Sequence, residues 1–252
     1  MTGKWPDLVA ELDRWGETGH VATLWWRDDD AVTPTSQLTT LLQLAGGAPV
    51  ALAVIPAAAS PDLPASLEKM PQVAVLQHGW RHDNHAMAGA KKSEFPAERP
   101  NAAVAAELAQ GRAKLTALFG ARALPVFVPP WNRFADGFVP LLTKAAIKGL
   151  SAMASRKVKA PPPNIALMDV HIDLVAWNDA KRFLGTAAAL SALIGHLRAR
   201  RLGQAMRGAV TGILTHHLVM DRAAAGFLDR LVATVERHQA ARWANAEELL
   251  AA

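Results

Sequence analysis

His78-Gly79-Trp80-Arg81-His82 sets two imidazoles four residues apart, directly after the apolar run Val73–Gln77. In a turn of helix that spacing lets both rings aim at one point, and imidazole nitrogen suits zinc as well as cobalt, nickel or iron. The bland alternative is coincidence, because His-x-x-x-His arises by chance in many chains. Asp28-Asp29-Asp30 closes a second apolar run, Val21–Arg27. Three adjacent carboxylates repel one another, and either a bound cation or exposure in a helix N-terminal turn offsets the repulsion. His216-His217 ends a third run, Ala209–Thr215. A histidine there is placed to deliver a proton near neutral pH, although a capped or solvent-facing pair is the structural alternative. Asp173, after the run Ile165–Val170, can orient and tune that imidazole, and Trp177 can wall a pocket, though a tryptophan more often fills a core.

The elements that must position these groups alternate along the chain. Predicted strands are Val21–Arg27, Val50–Ile55, Val73–Gln77, Leu124–Val128, Gly149–Ala154, Ile165–Val170 and Ala209–Thr215. Most are unbroken apolar runs, as in parallel strands buried on both faces. Helices are predicted at about 5–18 and over Ser36–Leu44, Ala102–Phe119, Gly137–Ala146, Thr186–Arg200 and Ala223–Gln239. Two long loops, Arg81–Pro100 and Arg156–Asn164, are too short to separate domains. The pattern predicts an α/β fold, a closed or nearly closed β/α barrel before an open sheet, as one domain over 1–252 with the barrel from about residue 20. In either architecture, functional groups gather beyond the carboxyl ends of the strands. Arg27 to Asp30, His78, Trp131-Asn132-Arg133, His171 with Asp173, and His216-His217 all follow predicted strands.

Composition narrows the classes further. Hydrophobic residues make up 51% and charged residues 19%, enough apolar material for a core and against general disorder. The net charge of +5 is spread along the chain, and no recognition motif or basic-aromatic stripe accompanies it, so nucleic acid is not an expected partner. The absence of cysteine excludes disulfides and thiolate metal sites. The first residues lack the apolar stretch of a secretory signal, and the apolar run 49–59 is too short for a bilayer and contains Pro56. A soluble cytoplasmic protein without a membrane partner is expected, its oligomeric state open.

The order of an aspartate pair, His-x-x-x-His, an aromatic after Pro129-Pro130, Asp173 with Trp177, and Leu214-Thr215-His216 resembles the polysaccharide deacetylase family. That family, carbohydrate esterase family four, includes chitin, peptidoglycan and nodulation-factor deacetylases. The resemblance implies a distorted (β/α)7 barrel and one divalent metal ion, zinc first, held by Asp30, His78 and His82. It also implies Asp29 as catalytic base, the Trp131 backbone N–H as oxyanion donor and His216 as general acid. Asp173 supports the acid, and Trp80, Trp131, Arg133, Trp177 and His85 are candidate substrate contacts. Several departures mark a divergent member. The extra Asp28 leaves the aspartate register ambiguous by one. Val128 stands where the family has arginine, with Arg27 or Arg133 as replacements, and His217 stands where aspartate is frequent. The spacing of Asp173 and Trp177 also differs, and His85 adds an imidazole with no family role.

The activity implied is hydrolysis of a C–N bond, with removal of N-acetyl groups from an amino sugar or oligosaccharide as the leading form. A small non-sugar amide or cyclic ureide cleaved at the same site is one alternative. A non-catalytic barrel that binds carbohydrate through Trp80, Trp131 and Trp177 is the other.

Overall fold

Unbroken apolar runs become parallel strands in this protein, and the stretches between them become helices. The structure, a computed structural model, describes residues 3–154, 164–205 and 210–251. The predicted loop Arg156–Asn164, except Asn164, and Ala209 at the start of the last predicted strand lie outside the described residues. The first half runs α1 (Trp5–Glu17), β1 (Ala22–Ala31), α2 (Ser36–Ala45), β2 (Val50–Val54), α3 (Leu63–Ser66), β3 (Val73–His78), α4 (Asn101–Phe119), β4 (Ala123–Val128) and α5 (Val139–Lys144). The second runs β5 (Gly149–Leu150), β6 (Ala166–Leu167), β7 (Ile172–Asp173), β8 (Val175–Ala176), β9 (Arg182–Phe183), α6 (Thr186–Arg201), β10 (Thr211–Thr215), α7 (Arg222–Arg237), β11 (Ala241–Trp243) and α8 (Ala246–Ala251). Among the described residues no helix is long and apolar enough to cross a membrane.

The chain forms two compact units that it enters in turn. The first comprises residues 1–28, 35–50 and 170–246, the second 29–34, 51–169 and 247–252.

In the first unit, β1 pairs in parallel with β10 on one side and with β11 on the other, and β10 pairs in parallel with β7. The register sets Trp26 opposite Ile213 and Asp28 opposite Thr215. Helix α7 starts on Asp221, whose carboxylate accepts the Ala224 amide at 2.8 Å, and buries the stripe Ala224, Phe227, Leu228, Leu231, Val232 and Val235. That three-and-four spacing is the amphipathic pattern that fastens a helix to a neighbour, here α2. Helix α1 meets α6, where the Arg201 guanidinium donates to both oxygens of buried Glu11 at 2.7 and 3.1 Å.

In the second unit, β3, β4, β5 and β6 lie parallel in that order. Helix α4 covers β3 and β4, begins after Pro100, which cannot donate within a helix, and stops at Gly120 with φ +57. Phe95, Phe127 and Phe134 pack with ring centroids 5.1–5.5 Å apart, edge to face or tilted, over Val104, Leu108 and Leu142.

Two expectations change here. β1 runs on to Ala31, so Arg27 to Asp30 lie inside the strand rather than beyond it. The short strands β7, β8, β9 and β11 have two or three residues each, too few to leave a hydrophobic period in sequence.

Candidate metal centre

Within the second unit, Asp30, His78 and His82 offer three ligand atoms that all lie within 4.8 Å of one another. Asp30 Oδ1 is 3.1 Å from His78 Nε2 and 3.4 Å from His82 Nε2. Ligands about 2.05 Å from a tetrahedral ion stand about 3.3 Å apart, so the separations fit such an ion. The protonation pattern agrees. His78 is the last residue of β3, and its Nδ1 lies 3.1 Å from the Val128 carbonyl, which only accepts, so Nδ1 carries the proton and donates it. The buried Nε2 then points its lone pair at a carboxylate, two acceptors face to face, unless a proton or a cation sits between them. His82 is held below the usual histidine pKa, by burial first and then by the charge of His78, against the opposing pull of Asp30. A neutral imidazole is the ligating form.

The histidine spacing does not come from a helix, as the sequence suggested. Residues Gly79 to His82 form a bend, with φ +59 at Gly79 and +63 at His82. Glu94 shapes it. This fully buried carboxylate accepts the amides of Trp80 at 3.2 Å, Arg81 at 2.7 Å and His82 at 3.1 Å. Burial raises the Glu94 pKa, and the Arg81 and Trp80 amides pull it back down. Gly79 is obligatory, since a Cβ there would lie 2.0 Å from Glu94 Oε2 and 2.6 Å from the Pro130 ring. Below the bend, buried Gln77 Nε2 donates to the carbonyls of Gly79 and Leu108, each at 3.2 Å. Sequence reasoning missed Glu94 and Gln77. Glu94 sits in what reads as a polar loop, with no spacing that ties it to the histidines.

The Pro129-Pro130-Trp131 segment turns sharply after β4. Trp131 and Asn132 have φ +53 and +55, and the Asn132 and Arg133 amides close the turn on the carbonyls of Pro129 and Pro130. Its indole stands 4.2 Å, centroid to centroid, from the His82 ring. Among the described residues seven other than glycine have positive φ, and Asp30, His82, Trp131 and Asn132 are four of them. Such backbone persists only where its surroundings enforce it, and it gathers at functional sites. Trp80 is half-buried with its backbone fixed by Glu94, and His85 is exposed, its amide on the Ser93 carbonyl. The Arg133 guanidinium donates to the Lys92 carbonyl at 2.8 Å, which gives it a loop-fastening role. Asp29 is buried on β1 beside Asp30, and its charge is felt at His82.

The first unit holds the remaining candidates. Asp28 is fully buried and accepts Thr215 Oγ1 at 2.6 Å and His217 Nδ1 at 2.5 Å. The Trp26 indole donates to Thr215 Oγ1 at 2.8 Å. Of the three aspartates, Asp28 is thus committed to this network and Asp30 to the imidazole cluster. His216 is buried, with its Nδ1 unpartnered, and lines a small apolar pocket with Leu174, Phe183, Val219, Met220 and Leu228. Asp173 does not bond that Nδ1. Its carboxylate accepts the Trp177 indole at 2.7 Å and the Val175 amide at 2.9 Å. Trp177 in turn sets its ring edge-on to His216 at 4.7 Å, so Asp173 reaches the imidazole through the tryptophan. His171 belongs elsewhere. It takes the Gly212 amide on Nδ1 at 3.0 Å and stacks on His196 at 3.7 Å.

No family model matches the sequence, and no curated protein does either. Solved structures do match. A Mycobacterium smegmatis protein named as a polysaccharide deacetylase superposes with a TM-score of 0.69 at 14% identity, over 92% of this chain and 90% of the other. A family 4 acetyl xylan esterase from Clostridium thermocellum, in complex with a cobalt ion, superposes with a TM-score of 0.55 at 13% identity, over 91% and 90%. A carbohydrate esterase family 4 pseudoenzyme from Bacillus anthracis gives 0.57 at 12%, over 91% of this chain and 66% of its own. The fold is therefore the α/β barrel type of the family 4 carbohydrate esterases, the polysaccharide deacetylase fold.

Proposed function

We propose that this protein is a metal-dependent hydrolase of carbon–nitrogen bonds, which removes N-acetyl groups from an amino sugar or oligosaccharide. The observation that carries the reading is the convergence of Asp30, His78 and His82, with His78 locked by Val128 so that its Nε2 lone pair faces the carboxylate. Asp30, His78 and His82 would hold a single divalent ion, zinc before cobalt, nickel or iron. Such an ion lowers the pKa of water and polarises an acyl carbonyl.

The chain's own residues do the rest. Asp29, buried on β1 next to the ligand Asp30, takes the proton from the attacking water. The Trp131 amide donates to the developing oxyanion, and the strained turn that carries it is already formed before substrate arrives. His216 protonates the departing amine. Trp80, Trp131, Trp177 and His85 contact the sugar. Arg133 serves the loop rather than the base.

The test pairs metal content with turnover. Purified protein is expected to carry close to one equivalent of divalent ion, and a His78→Ala/His82→Ala variant almost none. Asp29→Asn and His216→Ala should each lower acetate release from N-acetylated oligosaccharides by roughly 100-fold or more. Undiminished release by both variants would refute the roles assigned. A second reading, carbohydrate binding without turnover, draws on Val128 in place of the family arginine and on the pseudoenzyme that shares the fold. Tight ligand binding by metal-loaded protein with no acetate released would select it. Amide products other than acetate would select a non-sugar substrate.

A further inference from the structure

We infer that Glu94 is a positioning residue for the metal centre: its carboxylate, rather than any helix, sets where the His82 imidazole stands. The inference rests on the metal-dependent reading above and extends it to a residue outside the ligand set. Three successive amides, from Trp80, Arg81 and His82, converge on one carboxylate. Backbone N–H groups arrayed in this way form a concave anion site, and Glu94 fills it from within the chain.

The backbone that carries this carboxylate is itself anchored at two residues. Arg99 donates to the Glu94 carbonyl at 3.1 Å while its guanidinium makes two bonds of 2.7 Å to Glu107. Phe95, the next residue, bridges in parallel to Phe134, and the Ala135 amide donates to the Phe95 carbonyl at 3.1 Å. On the other side of the bend, the Ala57 amide donates to the Trp80 carbonyl at 2.9 Å, and Gln77 holds the Gly79 carbonyl. The bend therefore has little freedom, and His82 leaves it in a left-handed conformation that a non-glycine residue rarely adopts alone. Without the carboxylate, three part-buried amides lose their acceptor and the positive φ at His82 loses its support.

Zinc affinity, measured by competition with a chromophoric chelator, and the visible absorption of the cobalt-loaded protein test this. Wild type, Glu94→Ala, Glu94→Gln and His82→Ala are compared, together with the Glu94→Ala/His82→Ala double variant. Glu94→Ala should weaken zinc binding roughly 10- to 100-fold. It should also shift the cobalt spectrum toward that of His82→Ala. The double variant should bind no more weakly than His82→Ala alone, because Glu94 acts through that ligand. Wild-type affinity in Glu94→Ala, or losses that add in full in the double variant, would overturn the inference. Should Glu94→Ala not fold, Glu94→Gln keeps the side-chain volume and is read by the same criteria. Amide hydrogen exchange of wild type needs no variant: residues 80–82 should be protected, and exchange at the rate of an open loop would overturn it. If wild type binds neither zinc nor cobalt, the metal reading falls and the inference with it, a result distinct from normal binding in the Glu94 variants.

Discussion

Acid should weaken the fold through a pair of histidines in the first unit, and replacing one of them should remove about half the effect. His171 and His196 stack at 3.7 Å, and Arg200 donates to Thr211 Oγ1 at 2.9 Å, the same hydroxyl that His196 Nδ1 meets at 3.0 Å. Burial first, then the charges of His196 and Arg200, lower the His171 pKa to about 3, and burial with Arg200 lowers that of His196 to about 4. Burial likewise lowers Arg200, to about 10, which leaves it charged at every pH of interest. In the unfolded chain both histidines titrate near pH 6.5. Above that pH both states are neutral and nothing is lost. Between about pH 6.5 and 4 the unfolded state holds protons that the native state refuses, so stability falls as pH falls, by about 1.4 kcal/mol per pH unit per histidine. From pH 7 to 5 the pair amounts to about 4 kcal/mol without screening. Both rings are only half-buried, and halving the figure for solvent gives about 2 kcal/mol. Urea unfolding in chelator at both pH values, for wild type and His196→Phe, measures it. The variant should lose about 1 kcal/mol less on acidification than wild type. Equal losses would refute the argument that these rings are kept neutral by their surroundings.

Asp28→Asn should destabilise the protein by about 2 kcal/mol, because an amide offers one oxygen where Thr215 and His217 each use one, and a buried polar group loses its partner. Its zinc stoichiometry should be unchanged, whereas Asp30→Asn should lose zinc with little loss of stability in the metal-free form. Denaturant melts and metal analysis of both variants check the pair, and zinc lost in Asp28→Asn would reverse the register. Zinc at about 100 times its dissociation constant should stabilise wild type by about 2.7 kcal/mol, read as a rise in melting temperature that chelator abolishes.

The elements that carry the site were legible in sequence where length and pattern coincide. α4, α6 and α7 fall within two residues of their predicted bounds, because each presents a long amphipathic or apolar face closed by a recognisable stop such as Gly120. The three ligand candidates were legible as well, through the type of residue and the apolar runs before them. The means of holding them was not. The spacing of His78 and His82 suggested a helical turn, yet a buried carboxylate twelve residues beyond His82 imposes the bend. Long-range pairing of this kind leaves no local period. Neither do the left-handed conformations of Asp30 and Trp131: an aspartate adopts positive φ more often than most residues but still uncommonly, and a tryptophan beside proline carries no such signal.

The departures from the family pattern are also easier to understand in space than in sequence. An additional aspartate in the first motif would bring a third negative charge to β1, and a histidine where the last motif often carries aspartate would add an unpaired imidazole. The structure joins the two. Asp28 and His217 meet at 2.5 Å across the register that sets Asp28 opposite Thr215, and the Thr215 hydroxyl takes the other carboxylate oxygen. Asp28 and His217 thus each supply the partner that the other needs, and a buried carboxylate that would be costly alone becomes part of a hydrogen-bonded pair. Asp28 is thereby given over to Thr215 and His217, which meet its buried carboxylate with hydrogen bonds.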